Sequence, residues 1–199
     1  MTTDKETAPE TPVLEHRAGA VSGSKSKLAA SSTSKVPGDG ARWNPWEALV
    51  TDHSDVQCSF DYRLPPRVLG LSRPSQIWVC KTLTQFEREA TLAHELIHVE
   101  RGIFGLRDPD ERAAEECEVE AITARRLIPL RELIGVVLKY PNSSLDDWAQ
   151  QLRVDVWLVR VRILTLTDTE TIALEQVKGG PLPALNLLGQ YPFQMRDRR

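Results

Sequence analysis

The sequence predicts an α+β fold: a small antiparallel sheet of about three strands, packed on a central helix and further helices, with a helix-turn-helix-like pair toward the C-terminal end. Three observations carry the prediction. Apolar residues alternate along short runs between Val56 and Cys80, as half-buried strands require. The segment after Thr84 is apolar on two sides at helical spacing, the mark of a helix packed between layers. From Asp108 to about Leu164 the chain falls into helical segments with start and stop signals.

Composition narrows the class. The 199 residues fit one domain with tails, and 41% hydrophobic residues suffice for a core. A net charge of −3 gives no global pull toward nucleic acid or a membrane surface. Cys58, Cys80 and Cys117 are too few and too scattered for a disulfide framework, so reduced thiols in a cytoplasmic protein are expected. No apolar leader stands at the N-terminus, and no stretch reaches the ~18 apolar residues of a membrane span.

Taken in order, residues 1–41 read as a disordered tail, rich in Ser, Thr, Ala, Pro, Gly and Lys. His16 lies there and makes a poor ligand. Asn44 can cap a short helix with Pro45 at its first position. Val56 to Tyr62 alternates as a strand and stops at Pro65-Pro66, and Val68–Leu71 and Gln76–Cys80 are two more strands around a turn at 72–75. Thr84 and Glu87 form a capping box, and Gly102 ends the helix they open. Phe86, Ala90, Ala93 and Ile97 make one stripe; Leu92, Leu96, Val99 and Ile103 make the other. Between them runs a polar strip with Glu87, His94, His98 and Arg101.

That strip contains His94-Glu95-Leu96-Ile97-His98, an H-E-x-x-H pattern. Histidines at i and i+4 share one helix face and can reach one zinc ion, and Glu95 can serve as general base for water activated there. A catalytic zinc usually takes three protein ligands. Arg101 and Phe104 stand where the metzincin pattern has glycine and its last histidine, which excludes that class. His53 precedes the first strand, so a carboxylate from the next helix, opened by Asp108-Pro109, is the better third ligand. Ala113, Cys117, Ala121, Ala124 and Ile128 define its expected buried face, with Glu120 inside that arc and Glu116 on its flank. Glu111, Glu115, Glu118, Arg125 and Arg126 are expected to point away. Acids beside an apolar stripe are costly unless paired or metal-bound. Glu116 is therefore the candidate third ligand, and Glu120 a candidate hydrogen-bond acceptor from a ligating histidine. The alternatives are that Glu116 pairs with Arg88 or Arg101, or that Cys117 coordinates.

These features resemble the ImmA/IrrE family of bacterial and phage metallopeptidases. The resemblance spans roughly residues 45–165. It rests on Ile77-Trp78-Val79 leading into Glu89–His98, on the acidic helix that follows, and on its Leu127-Ile128-Pro129 ending. The family's ligating Glu stands 13 residues before that proline, which is Glu116 here. Four residues later the family has Asn or Asp where this chain has Glu120, and Ile97 replaces the Gly common before the second histidine. The resemblance implies a gluzincin-like zinc site in a small α+β domain. It also implies a cytoplasmic endopeptidase whose substrate is a helix-turn-helix repressor in phage, mobile-element or stress regulation. The alternatives are a non-catalytic regulator that binds a repressor or DNA, and a toxin–antitoxin component.

Beyond the metallopeptidase domain expected at 42–140, residues 141–177 read as a helical subdomain. Ser143 or Ser144 caps Leu145–Leu152, and Val156 to Leu164 follows. The spacing of Ala149, Leu152, Val154 and Val159 fits a helix-turn-helix, with Arg160 and Arg162 on the second helix. That helix is very apolar and short of base-reading side chains, so DNA is the weaker partner. Residues 178–199 read as a proline-containing tail whose Leu185, Leu187, Leu188, Tyr191 and Phe193 could pack on the body, before a charged end at Arg196–Arg199.

Overall fold

The computed structural model describes residues 42–182; the tail readings for 1–41 and 183–199 lie outside the described residues. Helix α1 (Pro45–Thr51) starts at Asn44, whose side chain accepts from the amides of Trp46 and Glu47. Three short strands follow, β1 (Gln57–Ser59), β2 (Gly70–Arg73) and β3 (Gln76–Val79), and then six helices. These are α2 (Gln85–Arg101), α3 (Pro109–Leu127), α4 (Leu130–Lys139), α5 (Leu145–Leu152), α6 (Val156–Leu164) and α7 (Asp168–Lys178). No helix among the described residues is long and apolar enough to cross a membrane.

The sheet corrects one expectation. Its order is β1-β3-β2, with β2 antiparallel to β3 but β1 parallel to it, in register Gln57↔Gln76, Cys58↔Ile77 and Ser59↔Trp78. Alternation fixes which face a strand buries and says nothing about its neighbour. Residues 60–69, with Pro65-Pro66, carry the chain past β3 to the far edge before the β2–β3 turn. The strands are also shorter than the alternation suggested.

Helix α2 is the wall between two cores. On one side Leu92 and Leu96 join Ala48, Val56, Ile77 and Val79 under the sheet and α1. On the other, Ala93 joins Ala124, Leu127, Leu133, Val137, Trp148 and further residues of α3 to α7. The two-sided stripe is thus buried in the helix centre, while its ends, Phe86 and Ile103, are exposed. Each long helix starts on a side-chain cap: Thr84 and Glu87 form the capping box of α2, and Asp108 accepts from the amides of Asp110 and Glu111 at α3.

A polar clamp ties the chain flanking α1 to α2 and α3. Arg126 forks onto Glu100 at 2.8 and 2.6 Å, and His53 Nε2 lies 3.2 Å from the same carboxylate. The Arg126 guanidinium also sits 4.9 Å from the Trp43 ring centre. Burial pushes the Glu100 carboxyl up, but the bonds from His53 and Arg126 outweigh it and bring its pKa to about 2. A folded value below the unfolded one stabilises above the ordinary carboxylate range and is lost as pH falls toward 2. In chelator, unfolding in urea at pH 5 and pH 3 should therefore cost wild type on the order of 1 kcal/mol more than Glu100→Gln, the partly exposed clamp being screened by solvent. Equal losses in the two proteins would show that the clamp carries no pH dependence.

Candidate metal centre

Helix geometry brings His94 and His98 to the same face of α2, one turn apart. Their Nε2 atoms lie 3.1 Å from each other, with the rings edge to face. Helix α3 crosses this face and delivers Glu116, whose Oε2 is 3.2 Å from His94 Nε2 and whose Oε1 is 3.4 Å from His98 Nε2. His94 is buried, and His98 and Glu116 are half-buried. The three side chains form a cluster able to hold a metal ion. The sequence offered Arg88 and Arg101 as competing partners of Glu116. Arg88 instead bonds the carbonyls of Leu83 and Lys81, and Arg101 grips Glu115 through two bonds of 2.6 and 2.7 Å.

Glu115 is a correction. Sequence phase placed it outward, yet it is buried against Arg101. Ala121, Ala124 and Ile128 are buried as expected, but so are Val119, Thr123 and Leu127, while Ala113 and Cys117 are only half-buried. Small residues such as Ala and Cys are weak markers of depth, so anchoring the phase on them rotated the face. The arc still contained Glu120, which is buried and lines a cavity with His94 and Thr123. Glu111 and Glu118 are exposed as expected.

Glu95 is held from the sheet side. It is 3% exposed, and the Ser72 hydroxyl donates to its Oε2 at 2.7 Å. Gly70 lies against the same side chain: a Cβ there would sit 2.5 Å from Glu95 Oε1 and 2.6 Å from Thr91 Cγ2. Ser72 and Gly70 were missed from sequence, although a glycine between leucines in a strand is the signal of a close approach. Gly70→Ala should cost about 1–3 kcal/mol, the usual price of overpacking, and displace the Glu95 carboxylate. Thermal unfolding would measure the first effect, and wild-type stability in the variant would refute the close packing.

Cavities lie on both sides of the cluster. One, of about 170 Å³, reaches His94 between the chain before β2, α2 and α6. The other, of about 310 Å³, is framed by Gly70, Ser72, Glu95, His98 and Glu116, with Leu71, Ile103, Phe104 and Leu106 as apolar walls. Cys117, the alternative ligand, is not part of the cluster; at Cys58, burial, with a smaller push from Glu95, raises the thiol to about 12.

The chain matches no family model, and no curated protein or solved structure shows significant similarity to it. Fold and site together define a mostly helical α+β protein with a His94-His98-Glu116 cluster that could hold a metal ion.

Proposed function

We propose that this protein is a zinc-dependent endopeptidase. The observation that carries the reading is the spacing of three donors beside a buried carboxylate. Tetrahedral zinc with bonds of about 2.0–2.1 Å sets its ligand atoms roughly 3.3–3.4 Å apart. His94 Nε2 and His98 Nε2 are 3.1 Å apart, and each has a different Glu116 oxygen at 3.2 or 3.4 Å. One donor atom from each of the three residues lies within 4.8 Å of the others, close enough for one ion to draw them together. Two imidazoles and one carboxylate are also the donor set of several zinc hydrolases.

His94, His98 and Glu116 would hold the ion. When bound, zinc supplies Lewis acidity to a peptide carbonyl and to water. Glu95, next to the first ligand and oriented by Ser72, takes the proton of the attacking water and passes it to the leaving amine. The flanking cavities leave room for chain on either side of a scissile bond. The resemblance in the motif helix and at Leu127-Ile128-Pro129 points to a helix-turn-helix repressor as substrate and to the cytoplasm as the place of action. A buried carboxylate held by a serine beside the donors favours catalysis over a purely binding role.

The test is zinc content of the full chain by mass spectrometry, followed by incubation with unfolded protein with and without chelator. One equivalent of zinc and discrete fragments that vanish with chelator are expected. A protein that takes up no zinc, or fragments indifferent to chelator, would overturn the reading.

A further inference from the structure

The smaller cavity is the more selective of the two. We propose that it receives the side chain of the substrate residue next to the scissile bond, and that this side chain is bulky and apolar, of phenylalanine or leucine size. The inference rests on the peptidase reading and specifies its substrate. His94 lines the cavity and also belongs to the donor cluster, so a group filling it lies within one residue of the reacting carbonyl. Its walls are Leu69 from the chain before β2, Ala90 from α2, and Trp157 and Leu158 from α6. Its volume is about 170 Å³. An apolar cavity of roughly 150 Å³ accepts one benzene, which sets the size of the occupant.

Charge narrows the choice. Glu87, Glu120 and Asp155 line the cavity with a single basic residue, Arg67, so an acidic side chain is disfavoured. A lysine ammonium would meet those carboxylates, so the choice of an apolar occupant rests on the apolar walls and the volume, and the aminobutyl compound is its direct competitor. The larger cavity also has apolar walls, Leu71, Ile103, Phe104 and Leu106, but a greater polar share of its surface, with Ser72, Glu95, Arg112, Glu115 and Glu116. Helix α6 thereby becomes part of substrate selection, with Trp157 as its principal residue.

Binding to the zinc-loaded full chain tests this without relying on turnover. Acetohydroxamate, which grips the metal but carries no side chain, is compared by calorimetry with peptide hydroxamates bearing benzyl, methyl, aminobutyl or carboxymethyl groups. The benzyl compound should bind at least about tenfold more tightly than the methyl one, since a single methylene in an apolar pocket already gives 10–200-fold discrimination. Ala90→Phe, which fills the cavity, and Trp157→Ala, which removes a wall, should each reduce that ratio. Acetohydroxamate binding without a benzyl advantage, or a preference for aminobutyl, overturns the specificity and leaves the metal site standing. Failure of acetohydroxamate itself to bind overturns both readings. A benzyl advantage untouched by both substitutions places its binding elsewhere and overturns the assignment to this cavity.

Discussion

Glu95→Gln is expected to keep its zinc and lose cleavage by about 10²- to 10⁴-fold, the range that a positioned general base contributes. The substitution preserves size, and the amide oxygen can still accept the hydrogen bond that Ser72 gives the carboxylate at 2.7 Å. Packing against Gly70 is likewise retained, because the side chain keeps its length. What is lost is the capacity to take a proton. The proposed ligands His94, His98 and Glu116 are untouched, so metal content separates this outcome from simple disruption of the site. Single-turnover cleavage and zinc analysis on the same preparation decide it. Cleavage at the wild-type rate would remove Glu95 from the chemistry, and loss of the metal would assign it a structural role.

Arg162→Ala should lower stability by about 3 kcal/mol, the lower end for removing one partner of an ion pair whose arginine is fully buried. For a body of this size that is a fall in melting temperature of roughly 10 °C. Arg162 is 2% exposed, donates to the Ile128 carbonyl at 3.0 Å and to Glu170 at 2.6 Å, and so joins α6, the end of α3 and α7. Burial pushes the Glu170 carboxyl up, and the Arg162 bonds outweigh this and hold it below its usual value. Removing the arginine strands the buried Ile128 carbonyl and leaves Glu170 with only its capping bonds from Thr167. Melting curves of wild type and variant measure the effect, and a shift under about 2 °C would show that water replaces the guanidinium freely. The sequence had offered Arg162 as a base-reading residue of a helix-turn-helix; its side chain is turned inward.

Legibility followed the range of the interactions. Helix α2 was readable from Thr84 to Gly102 because its capping box, two stripes and glycine stop are all local. Glu116 could be singled out because it flanks the expected buried face of α3 and stands at the resemblance's spacing from Pro129. The burial of Glu115 depends on Arg101, which stands on the preceding helix, and no pattern within α3 encodes that partner. The parallel pairing of β1 escaped for the same reason: strand order is decided by the path of residues 60–69, not by alternation within a strand. Ser72 and Glu95 meet across 23 positions, so the serine that holds this buried carboxylate appears only when the sheet is laid against the helix.

The placement of α2 between two cores has a thermodynamic consequence. Its histidines stand on an element that neither core can release alone, so opening the donor cluster means dismantling both. An ion bound to His94, His98 and Glu116 would therefore draw on nearly the full cooperativity of the body, and its release would be linked to global rather than local unfolding. Metal occupancy and persistence of the folded chain would then rise and fall as one quantity.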